Sequence, residues 1–221
     1  MTGVRLAVPP GRAGRLWLDR RLGAARRGAD LLDRKLRILS AELVTRSAAA
    51  ERAGQDWRRL AAEADQALLV AALLGGQRAI RLAAGDGGAA RVRIGYAVTI
   101  GVRHPAQARV TPPPGPPPWA SQPVEQARLA HRAALDAAVR CAVAARAAAV
   151  IEAETVTTRY RLRAIRDRLI PSLEQARAEV LLAIDEQERS DGARLRRVRA
   201  NVADRMNVEI RAGPGPPGPP R

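Results

Sequence analysis

Apolar residues recur along this chain at two different periods, and the change of period divides it. From about Gly14, the positions Leu18, Leu22, Ala25, Ala29, Leu32, Leu36, Leu39 and Leu43 alternate steps of four and three. The register continues through Arg46, Ala50, Ala53, Trp57, Leu60, Ala64, Ala67, Ala71 and Leu74. A heptad stripe sustained this long predicts one strand of a coiled coil over 14–74. A second stripe runs through Leu162, Ile165, Leu169, Leu173, Ala176, Val180, Ile184, Gln187, Asp191, Leu195 and Val198, with Arg and Glu on the other faces. Its helix is predicted over 124–206, starting beside Pro123, which a first turn tolerates. Pro171 lies inside it, but the apolar spacing stays in phase on both sides, so a kink is expected there rather than an end.

Between the two stripes, Val92, Ile94, Tyr96, Val98, Ile100 and Val102 alternate with mostly polar or small residues. This period of two predicts a small β-hairpin, and Ile100, Gly101 and Val102 belong to it. Gly75-Gly76 and the GDGG at 85–88 read as interruption and turn. The segment 105–123 is expected to be a proline-rich loop, too rich in proline for helix or sheet. The chain thus divides into a flexible 1–13, a helix 14–74, an insertion 75–123, a helix 124–206 and a disordered Pro/Gly tail 207–221. Two distant helices with one apolar stripe each bury both by pairing. The expected fold is therefore mainly α: a long antiparallel two-helix coiled coil of N- and C-terminal segments with a small β-hairpin in the middle insertion. Leu36 is expected to face residues 165–185. The seam residues are Leu18, Leu22, Leu32, Leu36, Leu39, Leu43, Leu162, Leu169, Leu173, Val180, Ile184 and Leu195.

Composition sharpens this picture. Phe is absent, and Trp17, Trp57, Trp119, Tyr96 and Tyr160 are the whole aromatic complement, so a wide core built on aromatic bulk is not expected. Ala, Leu, Arg and Glu dominate, as in long helices. The formal net charge of +16 favours acidic protein partners, nucleic acid or anionic membrane. Cys141 is the single cysteine, which excludes an intramolecular disulfide. The N-terminus has no continuous apolar stretch of the secretory kind, and no run of eighteen uncharged apolar residues is present, so a soluble or peripheral protein is expected.

The candidate chemistry is thin. GDGG is not followed by Gly-Lys-Ser/Thr, so it makes no phosphate loop with its lysine. His104 and His131 have no second His or Cys at metal spacing and read as surface or cap residues. Cys141 lacks a neighbouring base and reads as a small packed residue. Glu152, Glu154, Asp185, Glu186 and Glu188 read as solvated helix faces. No catalytic residue, cofactor or metal is expected.

Three stretches carry a resemblance. RRLGAARRGADLLDRKLRIL (20–39), IGVRHP (100–105) and RDRLIPSLEQARAEVLLAIDEQERSDGARLRRVR (166–199) resemble the D subunit of the V-type and archaeal-type ATP synthases and ATPases. The first has basic residues, a Gly, then Asp-Leu-Leu and a Lys; the last has Ile-Pro-x-Leu-Glu, an acidic patch and a basic end. The Pro-rich 105–123 and the polyproline tail depart from the family pattern. The resemblance implies a non-catalytic rotor shaft of a rotary ATP synthase or ATPase. Its paired helices enter a hexamer of catalytic A and B subunits, and the F subunit and the socket-like C or d subunit bind lower down. It implies a cytoplasmic position, peripheral on the inner face of the cell membrane, with proton or sodium transport coupled to ATP synthesis or hydrolysis. The basic residues Arg20, Arg21, Arg26, Arg27, Arg194, Arg196, Arg197 and Arg199 are then expected to form a collar at the shaft tip. The other readings are a basic helical nucleic-acid-binding protein and a coiled-coil scaffold. The first would place Arg on one face with aromatic platforms; here acidic residues interleave the Arg and aromatics are scarce. A scaffold explains the heptads but not IGVRHP or the order of the motifs.

Overall fold

The computed structural model describes residues 7–84, 88–112 and 121–212, with side chains to 204. Helix α1 spans Gly11–Ala84, strands β1 and β2 span Arg91–Thr99 and Val102–Thr111, and helix α2 spans Gln122–Ala164. A π-helical turn at Ile165–Leu169 leads directly into helix α3, Ile170–Ala212. The fold is mainly helical with one antiparallel hairpin, as the two periods predict. The chain divides into two compact units, 1–29 with 163–221 and 30–162.

In the first unit, Leu18, Leu22 and Leu173 are buried, with Trp17, Ala25, Leu169, Ile170, Ala176 and Val180 packed around them. Ile184 is half-buried on the same stripe. Three ion pairs join α1 to α3: Arg12 with Glu188 at 3.0 Å, Asp19 with Arg177 at 2.5 Å and Arg26 with Glu174 at 2.7 Å. A step of fourteen residues along α1 is matched by fourteen back along α3. The pairing is therefore antiparallel and in a single register. Gly14 lies under the chain entering α1, which folds back over it. A Cβ there would stand 1.9 Å from the Pro9 carbonyl oxygen, a distance no side chain tolerates.

Three expectations change in this unit. Leu195 is 61% exposed and Val198 is exposed too, because α1 begins at Gly11 and offers nothing beyond the level of Glu188 for them to pack on. Helix α3 continues to Ala212, so 207–212 are helical rather than part of the tail. Pro171 neither ends nor simply kinks the helix. Having no N–H, it leaves the turn before it short of one donor, and that turn widens: the Ile170 amide donates to the Ile165 carbonyl, five residues back.

In the second unit, α1 and α2 meet along a seam of small residues. Leu39, Ala64, Ala71, Val124, Ala127, Ala137, Ala147, Ile151, Thr155, Thr158 and Leu162 are buried, and Leu32, Leu36 and Leu43 are half-buried beside them. Alanine against alanine lets helices approach at the short end of the 8–10 Å range usual for helix pairs. Lys35 Nζ lies 2.6 Å from Glu154 Oε1. Leu36 is therefore level with the 150s rather than with 165–185. Trp57 and Leu74, which continue the predicted register, are exposed; Gly54 takes the buried position near Cys141, whose Sγ is 3.9 Å from a Cβ built on Gly54.

The insertion starts later and holds more sheet than expected. α1 passes through a break at Gly76 (φ 71°, ψ 161°) and stays helical to Ala84. Strand β2 takes in 105–111, which the proline content assigns to loop. The sheet accommodates Pro105 because Gly95 pairs with Gln107 and Tyr96 with Pro105, leaving Ala106 as a bulge. Residues 85–87 of the GDGG turn, the prolines at 113–118 and the tail from 213 lie outside the described residues.

Candidate functional site

The described residues contain no group of three or more His, Cys, Asp or Glu placed to hold a metal ion. The surfaces that carry chemistry here are faces for other molecules. They begin with the arginines. Arg26 is paired with Glu174, and the Arg21 guanidinium lies 5.0 Å above the Trp17 ring, a cation–π contact. Arg20 and Arg27 are exposed and make no ion pair among the described residues. Arg194 stands 3.8 Å from Asp191, whereas Arg196, Arg197 and Arg199 are exposed and make no ion pair among the described residues.

The register separates the two clusters. Arg20 lies eight residues inside the Arg12–Glu188 pair and Arg194 six residues beyond it, so roughly 20 Å of helix axis divides them at 1.5 Å per residue. The expected single collar is thus two basic bands, one on paired helices and one on α3 alone. The reason is the same as for Leu195: α3 outruns α1.

A second surface is apolar. In α1, Leu69, Val70, Leu73 and Leu74 are exposed, with Leu73 at 77%. The helix contains an 18-residue window of mean hydropathy 1.4 that is 6% buried, although Arg78 and Arg81 keep it from being an uncharged run. On the hairpin, Val92, Ile94, Tyr96 and Val98 line one face and are all exposed, as is Ile100 at the turn; Arg103 lies 4.3 Å over the Tyr96 ring. Gly101 is exposed and Val102 half-buried. An exposed apolar face of this extent marks an interaction surface. A small cavity of about 220 Å³ between the end of α1 and α2, lined by Leu68, Ile80, Val124 and Ala127, adjoins it.

Two groups depart from their sequence reading. His104 is fully buried, not a surface or cap residue. Its Nδ1 is 3.1 Å from the Pro105 carbonyl oxygen and its Nε2 3.0 Å from the Thr99 hydroxyl. The ring thereby ties the two strands together beside the turn. Glu154 is no solvated carboxylate: it and Lys35 are each about one quarter exposed. The Lys35 ammonium, hydrogen-bonded to it, holds its carboxyl below the ordinary range against the opposing effect of burial, with the Thr158 hydroxyl contributing. Lys35 is the only lysine in a chain otherwise basic through arginine, and that singularity was the available signal. His131 is exposed, its Nδ1 2.9 Å from the Ala127 carbonyl oxygen. Glu188 pairs with Arg12, and Glu186 lies 3.9 Å from Arg189.

No curated protein matches the chain. A family model for the D subunit of ATP synthase matches residues 16–200. That span takes in the paired helices of both units and the hairpin between them. The chain belongs to the ATP synthase D-subunit family, the stalk component of a membrane-associated ATP synthase complex.

Proposed function

We propose that this chain is the central rotor shaft of a V/A-type rotary ATP synthase or ATPase. It transmits torque between the catalytic A/B hexamer and an ion-translocating membrane ring, moving protons or sodium ions. The observation that carries the reading is the antiparallel pairing in one register, sealed by leucines and ion pairs and clothed outside in charge. Two strands cross-linked by a packed seam resist twisting better than one helix does. A hydrated, charged exterior can slide past successive subunit interfaces, because each exposed ion contact is worth about 1 kcal/mol or less.

In this reading the two basic bands of the first unit meet the A and B subunits. The exposed apolar face of the hairpin and of α1 around Leu69–Leu74 docks the F subunit and the socket-forming C or d subunit. The complex is cytoplasmic and peripheral on the inner face of the cell membrane. The chain itself transmits force and does no catalysis.

Truncation after Arg194 tests this reading in the assembled complex. The basic band Arg196, Arg197 and Arg199 is lost, whereas the Arg12–Glu188 pair and everything inside it remain. The truncated complex is expected to bind and hydrolyse ATP but to drive ion pumping poorly. Pumping at the full level in membrane vesicles would remove these contacts from the torque path.

A further inference from the structure

In the second unit, the face of the hairpin opposite Tyr96 and Ile94 carries a feature that torque transmission does not use. Arg93 on β1 and Arg109 on β2 are direct cross-strand partners. Their Cβ atoms are therefore about 4.5–5.5 Å apart, where like charges repel. Neither makes an ion pair among the described residues. Together with Arg140 of α2 they line one cavity of about 510 Å³. Arg140 likewise has no acidic partner among the described residues, and Asp136, one turn earlier on α2, is the single carboxylate in the lining. Arg26, Arg46, Arg59, Arg128 and Arg177 each have a carboxylate partner. Here three guanidinium groups face one cavity with one carboxylate among them.

We propose that this cavity is a binding site for a small phosphate-bearing anion. Guanidinium groups present planar, forked donors that match phosphate oxygens two at a time. An anion between Arg93 and Arg109 converts their repulsion into two attractions. The volume lies within the range usual for small-ligand sites. Val139 of α2 also lines it, an apolar floor that suits the nucleoside of a nucleotide. Gln107 and Asp136 supply an amide and a carboxylate for its hydroxyl or amino groups. The two possible sources of the phosphate, a free ion or a nucleotide, differ in whether they use that floor.

Calorimetric titration of the full chain at physiological ionic strength, with orthophosphate and with ADP, tests the site. Saturable one-to-one binding of either is expected. Equal affinities assign the site to phosphate alone, and tighter ADP binding brings in the floor. Arg93→Gln and Arg140→Gln, on separate elements, should each weaken binding about tenfold or more, the loss of a charge-assisted hydrogen bond. Asp136→Asn removes the one negative charge in the lining and should tighten orthophosphate binding. Arg146→Gln removes the same charge from an exposed position of α2 outside the cavity and should change affinity less than about twofold. Absence of saturable binding for both probes overturns the proposal. So does an equal loss in Arg146→Gln, which would mean diffuse surface charge. Binding confined to vesicles of phosphatidylcholine and phosphatidylserine overturns it as well, since the surface would then be reading a membrane.

Discussion

The two units close the same kind of helix pair with different side chains. In the first, three leucines form a compact plug and three ion pairs bridge α1 and α3 around it. In the second, the buried positions of α1 and α2 are mostly small, five alanines and two threonines, with Leu39, Val124, Ile151 and Leu162 among them. A leucine plug draws its stability from area buried per residue, about 1.5–3 kcal/mol for each side chain. An alanine seam draws it from close approach repeated over many turns, each contact small. The first arrangement is therefore sensitive to truncation and the second to enlargement. Thr155 and Thr158 are tolerated in the second because they are still smaller than leucine, and the Thr155 hydroxyl is satisfied by the Ile151 carbonyl oxygen at 2.7 Å.

The sharpest way to break that contrast is at Leu173. Leu173→Ala should cost about 2–5 kcal/mol, the transfer and cavity loss of a buried leucine. Leu195→Ala, on the exposed extension of the same helix, should stay within about 0.5 kcal/mol. Chemical denaturation of the full chain measures both. Equal losses would mean that the α3 extension is packed against something within the chain.

Enlargement is the complementary probe, with a smaller effect. Ala147→Leu places extra methyl groups where helices already touch and should destabilise by about 1–3 kcal/mol. Ala145→Leu, exposed two residues earlier, should be near neutral, at most slightly unfavourable through helix propensity. If Ala147→Leu stabilises the protein by thermal unfolding, the seam is looser than described.

The smallest effect concerns the one lysine. Its hydrogen bond to Glu154 lowers the carboxyl below the ordinary value of 4.5. The stabilisation from this pair is therefore complete above about pH 4.5 and fades as pH falls through the lowered value in the folded protein. It amounts to about 1 kcal/mol or less, given partial exposure. Lys35→Met should flatten that acid limb in urea midpoints measured at descending pH. Identical limbs in the two proteins would show that the pair does not contribute.

The helical pairing was legible because heptads report burial directly: Leu18, Leu22, Ala29, Leu39, Ala64 and Ala71 all fall on the predicted stripe and all are buried. What failed was the extent of each stripe. Leu195 and Val198 continue the pattern in sequence, but periodicity on one helix says nothing about where its partner ends. Leu36 could be assigned to a seam and not to a level within it, since the offset between two helices depends on pairs such as Arg12 with Glu188 that lie far apart in sequence. The strand through Pro105 was hidden for a different reason. Proline opposes a regular ladder, and only the bulge at Ala106 makes room for it. The role of His104 was equally hidden, because its partners, Thr99 and the Pro105 carbonyl, become neighbours only once the hairpin closes.

That hairpin closes through a turn whose two central residues, Ile100 and Gly101, both have positive φ, 48° and 78°. A mirror-image two-residue turn requires this, and Asn-Gly is the pair that meets it without strain. A β-branched isoleucine there sits in a conformation disfavoured by about 1–2 kcal/mol. The turn is consequently a spring held bent by its surroundings: the strand ladder on both sides and the His104 clasp beside it supply the restraint. Release of either would let the tip relax. The strain at Ile100 is thus carried by the strands and coupled to their folding.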